Sequence, residues 1–412
     1  MGWLQDRINS ARVNNLLTLA GTIAAVLIAT YMFDLLAREG GHFYIGFIEL
    51  EFEVEYDILV IVLVAFYILA ATRIAHVIGL PPGVVEIIMG AILAFWGVKS
   101  TEVLTLLAAI GANLLLFMAG SEIDLALLRS ILPQAVIVAL VSALAPLALT
   151  ALLHVYLGLS LTASLVILAS LSATSVALTY LLLSSYRLVR SRLGQLALAS
   201  AMLLDLSGMI MLNIATASIS PSLAFYIVIL LAALLLYPLL PRLGGAPFEA
   251  EIRLITMTVI ILGFLSDFVG VHSVLTSFIL GVIASETVRT RVQLREKLES
   301  LATGFFTPFF FIASGMSIDP GIPLHYVALA LAGGVALALA RTYTVYFYFR
   351  LTGSSRRSSL IAASSTAMLL TVTIIAASVS FQLGLIDSLM YSVLVWIVVG
   401  TILGSFALVK MR

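Results

Sequence analysis

Residues 172–179 read SATSVALT and residues 364–371 read SSTAMLLT, and this pair of stretches decides the fold. Serine, threonine, leucine and threonine coincide at a constant offset of 192 positions. Both stretches lie inside long apolar runs, where hydroxyl groups can satisfy the backbone groups that an interrupted membrane helix leaves free. We therefore predict two interrupted helices at equivalent places in an internal repeat. Packing of small polar residues between helices would explain either stretch alone, but not their equivalent positions.

The composition places the chain in a membrane. Of its 412 residues, 62% are hydrophobic and 10% are charged, whereas soluble domains typically carry about 25% charged residues. The 21 basic and 21 acidic residues balance, which gives no indication of a nucleic-acid partner. The absence of cysteine excludes disulfides, thiolate nucleophiles and cysteine-ligated metals. No small-residue cleavage site follows the first apolar run, so we expect no removable signal peptide.

Fourteen apolar runs approach the roughly 20 residues that a spanning helix needs. They are 16–36, 58–78, 81–98, 102–119, 131–157, 160–184, 192–217, 221–241, 251–269, 271–287, 301–317, 324–350, 357–380 and 386–409. The runs lack strict alternation, which favours helices over strands. The acidic segment 39–57 contains FIELEFEVEYD, which fits either a short extracellular strand or a solvated loop, and we expect the loop.

The basic residues predict the orientation of these helices. If fourteen crossings alternate, 18 of the 21 basic residues fall on the side that holds both termini. The other side receives only Arg38 and Lys99, and Arg341 lies inside a helix. Because cytoplasmic loops carry an excess of Lys and Arg, we expect both termini in the cytoplasm.

The helix count makes the repeat an inverted one. Six predicted helices lie in 58–217, one connecting helix lies in 218–250, and six more lie in 251–412. Six helices and a connector turn the second half upside down relative to the first, as in many transporters. Residues 1–57 hold an amphipathic start, an extra helix and the acidic loop, outside the repeat.

Two ionisable residues lie well inside predicted helices. Asp205 stands in LASAMLLDLSGMIML and Arg341 in ALALARTYTVYF. A charge at the bilayer centre costs roughly 2.5–3.5 kcal/mol on insertion scales, which makes both residues functional candidates. The structural alternative is an Asp–Arg pair that holds the bundle together, although apolar residues would usually serve that purpose equally well.

Oxygen ligands near Asp205 could hold a hard monovalent cation. We predict that the Asp205 carboxylate binds either a cation or a proton, with hydroxyls and carbonyls of Ser172, Thr174 and Ser175 as further ligands. The polar patch of the second interrupted helix consists of Ser364, Ser365 and Thr366. Glu286 lies near the inner end of its helix, where it could attract cations to a funnel.

Five segments, in this order, carry a family resemblance. They are GLPPGVVEIIMG at 79–90, LLFMAGSEID at 115–124, Arg-Leu-Gly at 192–194 followed by Asp205 and Gly208, the stretch from Gly270-Val271-His272 through Gly281 to Glu286, and FFFIASGM at 309–316. Together they resemble the monovalent cation:proton antiporters of the Kef-type and sodium/proton exchanger superfamily over residues 58–409. Two positions depart from that family's pattern. Leu204 precedes the aspartate where relatives carry Asp, Asn or Gln, and Ser364-Ser365-Thr366 replaces an Arg-Gly pair.

The resemblance implies an all-α integral membrane fold of about 14 transmembrane helices. Two six-helix inverted repeats would contribute crossing interrupted helices, with one extra N-terminal helix. It also implies a homodimer, elevator-like alternating access, Asp205 as the cation and proton site, and Arg341 at the family's basic position. Because the sequence stops at Arg412, we also expect no nucleotide-binding regulatory domain of the kind that some Kef relatives carry.

We therefore predict exchange of Na⁺ or K⁺ for a proton in a prokaryotic plasma membrane, without a cofactor. Arginine stays protonated and Leu204 cannot titrate, so one carboxylate predicts one proton per cation and electroneutral transport. No Ser/His/Asp arrangement, HExxH or phosphate loop indicates an enzyme. An uncoupled channel, which would need a continuous polar path, and a non-transporting membrane receptor remain alternatives.

Overall fold

The computed structural model describes residues 18–34, 42–45, 48–51, 55–122, 125–216, 248–268 and 273–410. The fold of this part is helical, as the sequence predicts. The predicted connecting helix at 221–241 lies outside the described residues.

The first half of the chain contains eight described helices. They are α1 (Thr18–Asp34), α2 (Tyr56–Ile78), α3 (Pro82–Phe95), α4 (Glu102–Ser121), α5 (Leu125–Leu157), α6 (Leu161–Ser172), α7 (Val176–Ser185) and α8 (Arg192–Thr216). Helices α6 and α7 together occupy the predicted run 160–184, which confirms its interruption.

The second half follows the same order with one addition. Its helices are α9 (Phe248–Phe268), α10 (Ser273–Thr290), α11 (Val292–Leu301), α12 (Thr307–Met316), α13 (Leu324–Leu351), α14 (Arg356–Ser365), α15 (Thr371–Gln382) and α16 (Ser388–Lys410). A π-helical turn, Ala302–Phe306, joins α11 to α12. The second predicted interruption is also present, between α14 and α15.

Seven of the described helical segments have the length and apolar composition to span a bilayer. They are Tyr56–Ile78, Glu102–Ser121, Arg129–Tyr156, Leu161–Ser185, Arg192–Leu212, Leu324–Leu351 and Ser388–Val409. Helices α1, α3 and α15 are apolar but shorter. The short span predicted at 81–98 is accordingly a helix of 14 residues.

The loop expected in the acidic segment is wrong where the structure describes it. His42–Ile45 and Ile48–Glu51 form an antiparallel two-stranded hairpin in which Phe43 lies opposite Leu50. The alternation of apolar and acidic residues is the period-2 pattern of a strand, and pairing satisfies backbone groups that a loop would leave to water.

The packing divides the chain into two compact units. One comprises Met1–Ala109 with Phe306–Pro320, and the other comprises Ile110–Phe305 with Gly321–Arg412. Phe309 and Ile312 of α12 help to form the buried core of the first unit. The second unit contains the breaks in both interrupted helices, together with Asp205 and Arg341.

Each unit contains a close helix crossing built on a glycine pair that has a counterpart in the other unit. In the first unit, a Cβ added to Gly90 would fall on the carbonyl oxygen of Ile312, and one added to Gly315 would fall on that of Ile87. Gly120 and Gly281 make the corresponding crossing between α4 and α10. Gly281 lies 191 positions after Gly90, and Gly315 lies 195 positions after Gly120. The two halves thus repeat the same packing.

Candidate functional site

The break between α6 and α7 exposes two helix ends in the interior of the second unit. Helix α6 ends at Ser172, Ala173 and Thr174 follow outside any helix, and Ser175 caps α7 by accepting a hydrogen bond from Leu178 N at 3.4 Å. Free carbonyls give the end of α6 a partial negative charge, and free amides give the start of α7 a partial positive charge. The break therefore offers a place for a cation and a place for an anion.

Asp205 occupies the anion position. Its side chain extends from α8, is only 3% exposed, and accepts a hydrogen bond at Oδ1 from Thr174 N at 2.9 Å. Gly208, one turn further along α8, permits this approach, because an added Cβ would lie 3.0 Å from the carbonyl oxygen of Ala169 in α6. No hydrogen bond from a described residue reaches Oδ2, which leaves that oxygen available to a ligand.

Arg341 occupies the cation position and is fully buried. From α13 its guanidinium donates to the carbonyl oxygens of Leu171, Ser172 and Ala173 at 3.1–3.2 Å. It therefore neutralises the carbonyl end of α6, as a cation at a helix C-terminus does. The planar fork of arginine suits several acceptors at once, whereas a lysine ammonium has only three donors.

Arg341 and Asp205 are linked through Thr174 and not by an ion pair. Arg341 Nη2 donates to Thr174 Oγ1 at 2.7 Å, while Thr174 N donates to Asp205 Oδ1. Among the described residues, Asp205 has no ion pair within 4.0 Å. The structural Asp–Arg pair considered from the sequence is therefore absent in this conformation.

Thr174 also joins the two interrupted helices. Its hydroxyl donates to the carbonyl oxygen of Thr366, its repeat counterpart 192 positions along the chain, at 3.2 Å. Thr179 Oγ1 donates to the carbonyl oxygen of Ser365 at 2.8 Å, and Ser175 N donates to that of Met368 at 2.9 Å. The two breaks therefore cross, and polar groups of the first satisfy the carbonyls freed by the second.

At the second break, between α14 and α15, every described residue that forms a hydrogen bond is uncharged. Leu369 N donates to Thr401 Oγ1 of α16 at 3.4 Å, at a place comparable to that of Asp205 in the first half. Ser365 and Thr366 donate their hydroxyl protons back to their own helix. The hydroxyl of Ser364 is buried without a partner among the described residues. The predicted polar patch is thus present, with its charged counterparts confined to the first break.

The hydroxyls of Ser172, Thr174 and Ser175, predicted as cation ligands, differ in whether they already have hydrogen-bond partners. The Thr174 hydroxyl contacts both Arg341 and Thr366, and the Ser175 hydroxyl caps α7. The Ser172 hydroxyl hydrogen-bonds to none of the described residues, although its carbonyl accepts from Arg341. Of the three hydroxyls, that of Ser172 is thus the one free to take a new ligand.

One residue of this cluster has no signal in the sequence. Ser142 of α5 is fully buried and accepts from Arg341 Nε at 3.2 Å and from Nη2 at 3.1 Å. A serine within a long apolar helix is too common to single out. Its role follows only from the position of the guanidinium.

Two carboxylates lie outside the cluster. Glu286 is exposed on α10, and no hydrogen bond or ion pair between described residues joins it to Asp205. Glu122, just beyond the end of α4, is partly buried, and burial raises its pKa to about 7. The charge of Arg295 lowers the pKa of Glu122 and that of Glu299 raises it, both less than burial does. No cluster of three His, Asp or Glu side chains suited to a metal occurs in the described part of the chain.

Comparison with known proteins identifies related sequences along almost the whole chain. The family model described as "Sodium/hydrogen exchanger, transmembrane" matches residues 61–410. The probable Na⁺/H⁺ antiporter 3 of Methanocaldococcus jannaschii is 26% identical over 322 residues, which are 73% of this chain and 82% of that protein. The Na⁺/H⁺-K⁺ antiporter GerN of Bacillus cereus is 23% identical, over 77% of this chain and 85% of that protein.

A longer plant relative and a solved structure complete the comparison. Cation/H⁺ antiporter 18 of Arabidopsis thaliana is 29% identical over 64% of this chain, but the match covers only 36% of that protein. The structure of the sodium proton antiporter MjNhaP1 of Methanocaldococcus jannaschii superposes with a TM-score of 0.58, at 15% identity. It covers 86% of this chain and 95% of that one, which shows a shared fold.

Proposed function

The chain belongs to the sodium/hydrogen exchanger family, and we propose that it exchanges Na⁺ or K⁺ for a proton across the membrane with Asp205 as the shared binding group. The observation that carries this proposal is a buried carboxylate with one free oxygen at the crossing of two interrupted helices. Relatives named for Na⁺/H⁺ and for Na⁺/H⁺-K⁺ antiport support the substrate class.

The proposed exchange follows from competition for one carboxylate. A proton or a monovalent cation on Oδ2 neutralises Asp205, while Oδ1 remains bound to Thr174 N. The Ser172 hydroxyl would add an oxygen ligand for the cation. Since the ionised carboxylate is costly to move through a region of low dielectric constant, the loaded forms cross and the empty form does not.

In this scheme Arg341 carries a permanent positive charge that stabilises the free carbonyls at the end of α6. Its guanidinium stays protonated and binds the carbonyls of residues 171–173, so these oxygens do not compete with Asp205 for the cation. Leu204, the neighbour of Asp205, cannot carry a second proton. We therefore propose electroneutral exchange by alternating access, and a current driven by voltage alone in proteoliposomes would contradict it.

The decisive experiment is substitution of Asp205 in reconstituted vesicles. With a pH gradient and a fluorescent ΔpH probe, addition of Na⁺, K⁺ or Li⁺ should dequench the wild type, whereas Asp205→Asn should give no cation-dependent signal. Asp387→Asn is the matched control, because Asp387 is exposed and only caps α16, a role that asparagine also fills. Proton-coupled uptake by Asp205→Asn would refute the site.

Orientation and assembly need separate tests. The distribution of basic residues supports cytoplasmic termini, and the absence of native cysteine makes Ser10→Cys a single labelling site for an impermeant thiol reagent. Labelling of intact cells at this position would contradict a cytoplasmic N-terminus. A homodimer predicts twice the chain mass of 44.1 kDa in detergent, after subtraction of the micelle.

The segmental roles predicted from the sequence are part of the same proposal. Residues 58–217 and 251–412 would act as the two repeats, 218–250 as the connector, and 1–57 as a peripheral segment. Glu286, exposed on α10, is proposed to attract cations towards the inner entrance. Glu286→Gln should raise the cation concentration for half-maximal exchange and leave the maximal rate unchanged.

A further inference from the structure

A set of buried polar atoms outside the Asp205 cluster lies among α4, α9 and α10. Asn113 of α4 and Ser277 of α10 are both fully buried. Neither the Oδ1 nor the Nδ2 of Asn113, nor the Oγ of Ser277, has a hydrogen-bond partner among the described residues.

Gly263 of α9 brings these atoms to one place. A Cβ added to Gly263 would lie 3.2 Å from Asn113 Nδ2 and 3.3 Å from Ser277 Oγ. Those two atoms are therefore at most about 6.5 Å apart, the sum of the two distances. A molecule between them can lie within hydrogen-bond distance of both. Because Gly263 has no side chain, no Cβ stands against these two atoms.

Leaving these groups unpaired would be costly. A buried donor or acceptor without a partner destabilises the fold, and most buried polar atoms in proteins find a partner or an ordered water. Asn113 and Ser277 are too far apart, or too poorly oriented, to satisfy each other. We therefore expect both side chains to hydrogen-bond to a molecule that lies between them.

The chemistry of the pocket favours water over a cation. Asn113 and Ser277 are neutral, and each offers both a donor and an acceptor. A cation in a buried site without a carboxylate would lose its hydration without compensation by charge. Water matches a donor–acceptor pair in either orientation, and buried waters typically make about three hydrogen bonds to such groups.

The first half of the repeat also has buried polar groups near its own glycine crossing. Ser277 precedes the crossing glycine Gly281 by four residues, as Glu86 precedes Gly90 in the first half. Glu86 is buried, and the hydroxyl of Thr307 on α12 is buried without a partner among the described residues. Thr307 falls one position from the repeat counterpart of Asn113. Both halves therefore keep polar groups beside the close glycine crossing.

We propose that Asn113 and Ser277 bind an ordered water molecule that bridges α4 and α10 in the space left by Gly263. The water completes the packing of three helices next to the crossing of Gly120 and Gly281. Its site is neutral and distinct from the proposed transport site, so its existence does not depend on the transport proposal.

A structure of the full chain at a resolution that shows ordered water tests the site directly. Density is expected within about 2.7–3.2 Å of the polar atoms of Asn113 and Ser277. In Gly263→Ala the added methyl group occupies this space, and the density should be lost while both polar side chains remain. Crystals soaked in Tl⁺ should show no anomalous peak here. An empty pocket, or a Tl⁺ peak, would overturn the proposal.

A thermodynamic cycle tests the bridge in solution. Asn113→Leu and Ser277→Ala should each lower the unfolding midpoint by about 1–4 °C. In the double variant the midpoint should fall by less than the sum of the two single decreases, because either substitution alone already breaks the water bridge. Ser380→Ala is the control, since that buried hydroxyl donates to its own helix at Ala376 O. If Asn113→Leu does not fold, the same comparison can be made with Ser277→Ala, Gly263→Ala and the double variant of these two. Additive losses would refute the bridge.

Discussion

Thr174→Val separates the hydroxyl of Thr174 from its backbone amide. Valine keeps the branched shape of threonine, and position 174 lies outside a helix, where a β-branched residue costs little. The N–H that binds Asp205 is retained, whereas the hydroxyl bonds to Arg341 and to Thr366 are lost. The variant therefore tests whether the hydroxyl holds the crossing together.

The magnitude follows from the two lost bonds. The 2.7 Å bond from the guanidinium involves a charged group and contributes about 1.5–3 kcal/mol. The 3.2 Å bond to the Thr366 carbonyl is neutral and contributes about 0.5–1.5 kcal/mol. Arg341 Nη2 keeps Ser142 and Ser172 as acceptors, and the added methyl group gains about 0.8 kcal/mol from burial. We expect a net loss of about 1–3 kcal/mol.

The measurement is the unfolding free energy in detergent or nanodiscs, with ΔpH dequenching in vesicles as the functional readout. Thr174→Ser is the matched control, because it keeps the hydroxyl and loses only a methyl group. The valine variant should be less stable than the serine variant and should exchange cations more slowly. If the two variants unfold and transport alike, the hydroxyl does not connect Arg341 to the crossing, and the reasoning is refuted.

Two further predictions concern pH and packing. Because burial raises the pKa of Glu122 to about 7 from 4.5, the folded protein binds this proton more tightly than the unfolded chain, so stability should fall as pH rises from about 4.5 to 7. Unfolding midpoints across that range should show a flatter profile for Glu122→Gln but an unchanged one for Glu102→Gln, at the exposed start of the same helix. Gly334→Ala would place a Cβ on a backbone carbonyl of α16 and should lower the midpoint strongly, whereas Gly333→Ala, with no atom within 4 Å of the added Cβ, should be neutral or stabilising. Equal midpoints for the two alanine variants would contradict the close contact of α13 with α16.

The sequence predicted the membrane class, the interrupted helices and the two buried charges. These features follow from local composition: a spanning helix needs a long apolar run, and a charge within one is rare enough to stand out. The offset between the two serine- and threonine-rich stretches also predicted the repeat, and in the structure Thr174 bonds to its own counterpart, Thr366. The family match over residues 61–410 confirms the resemblance.

Other features depend on contacts that no local pattern encodes. The hairpin at His42–Ile45 and Ile48–Glu51 depends on the pairing of two short segments, and the alternation within either one did not decide between strand and loop. Ser142 matters only because a guanidinium on another helix reaches it. The unpartnered atoms of Asn113 and Ser277 are recognisable only when three helices are assembled.

The sequence by itself determined that Asp205 and Arg341 lie in apolar helices and need partners, because low dielectric surroundings make an unpaired charge costly wherever the chain places it. Only the tertiary structure decided which partners they have. Arg341 binds the carbonyl end of α6 and Asp205 binds the amide before α7, with Thr174 between them. The physical reason is that breaking a helix creates two partial charges of opposite sign. The negative end binds Arg341 and the positive end binds Asp205, so that each charged side chain has a partner without a direct ion pair.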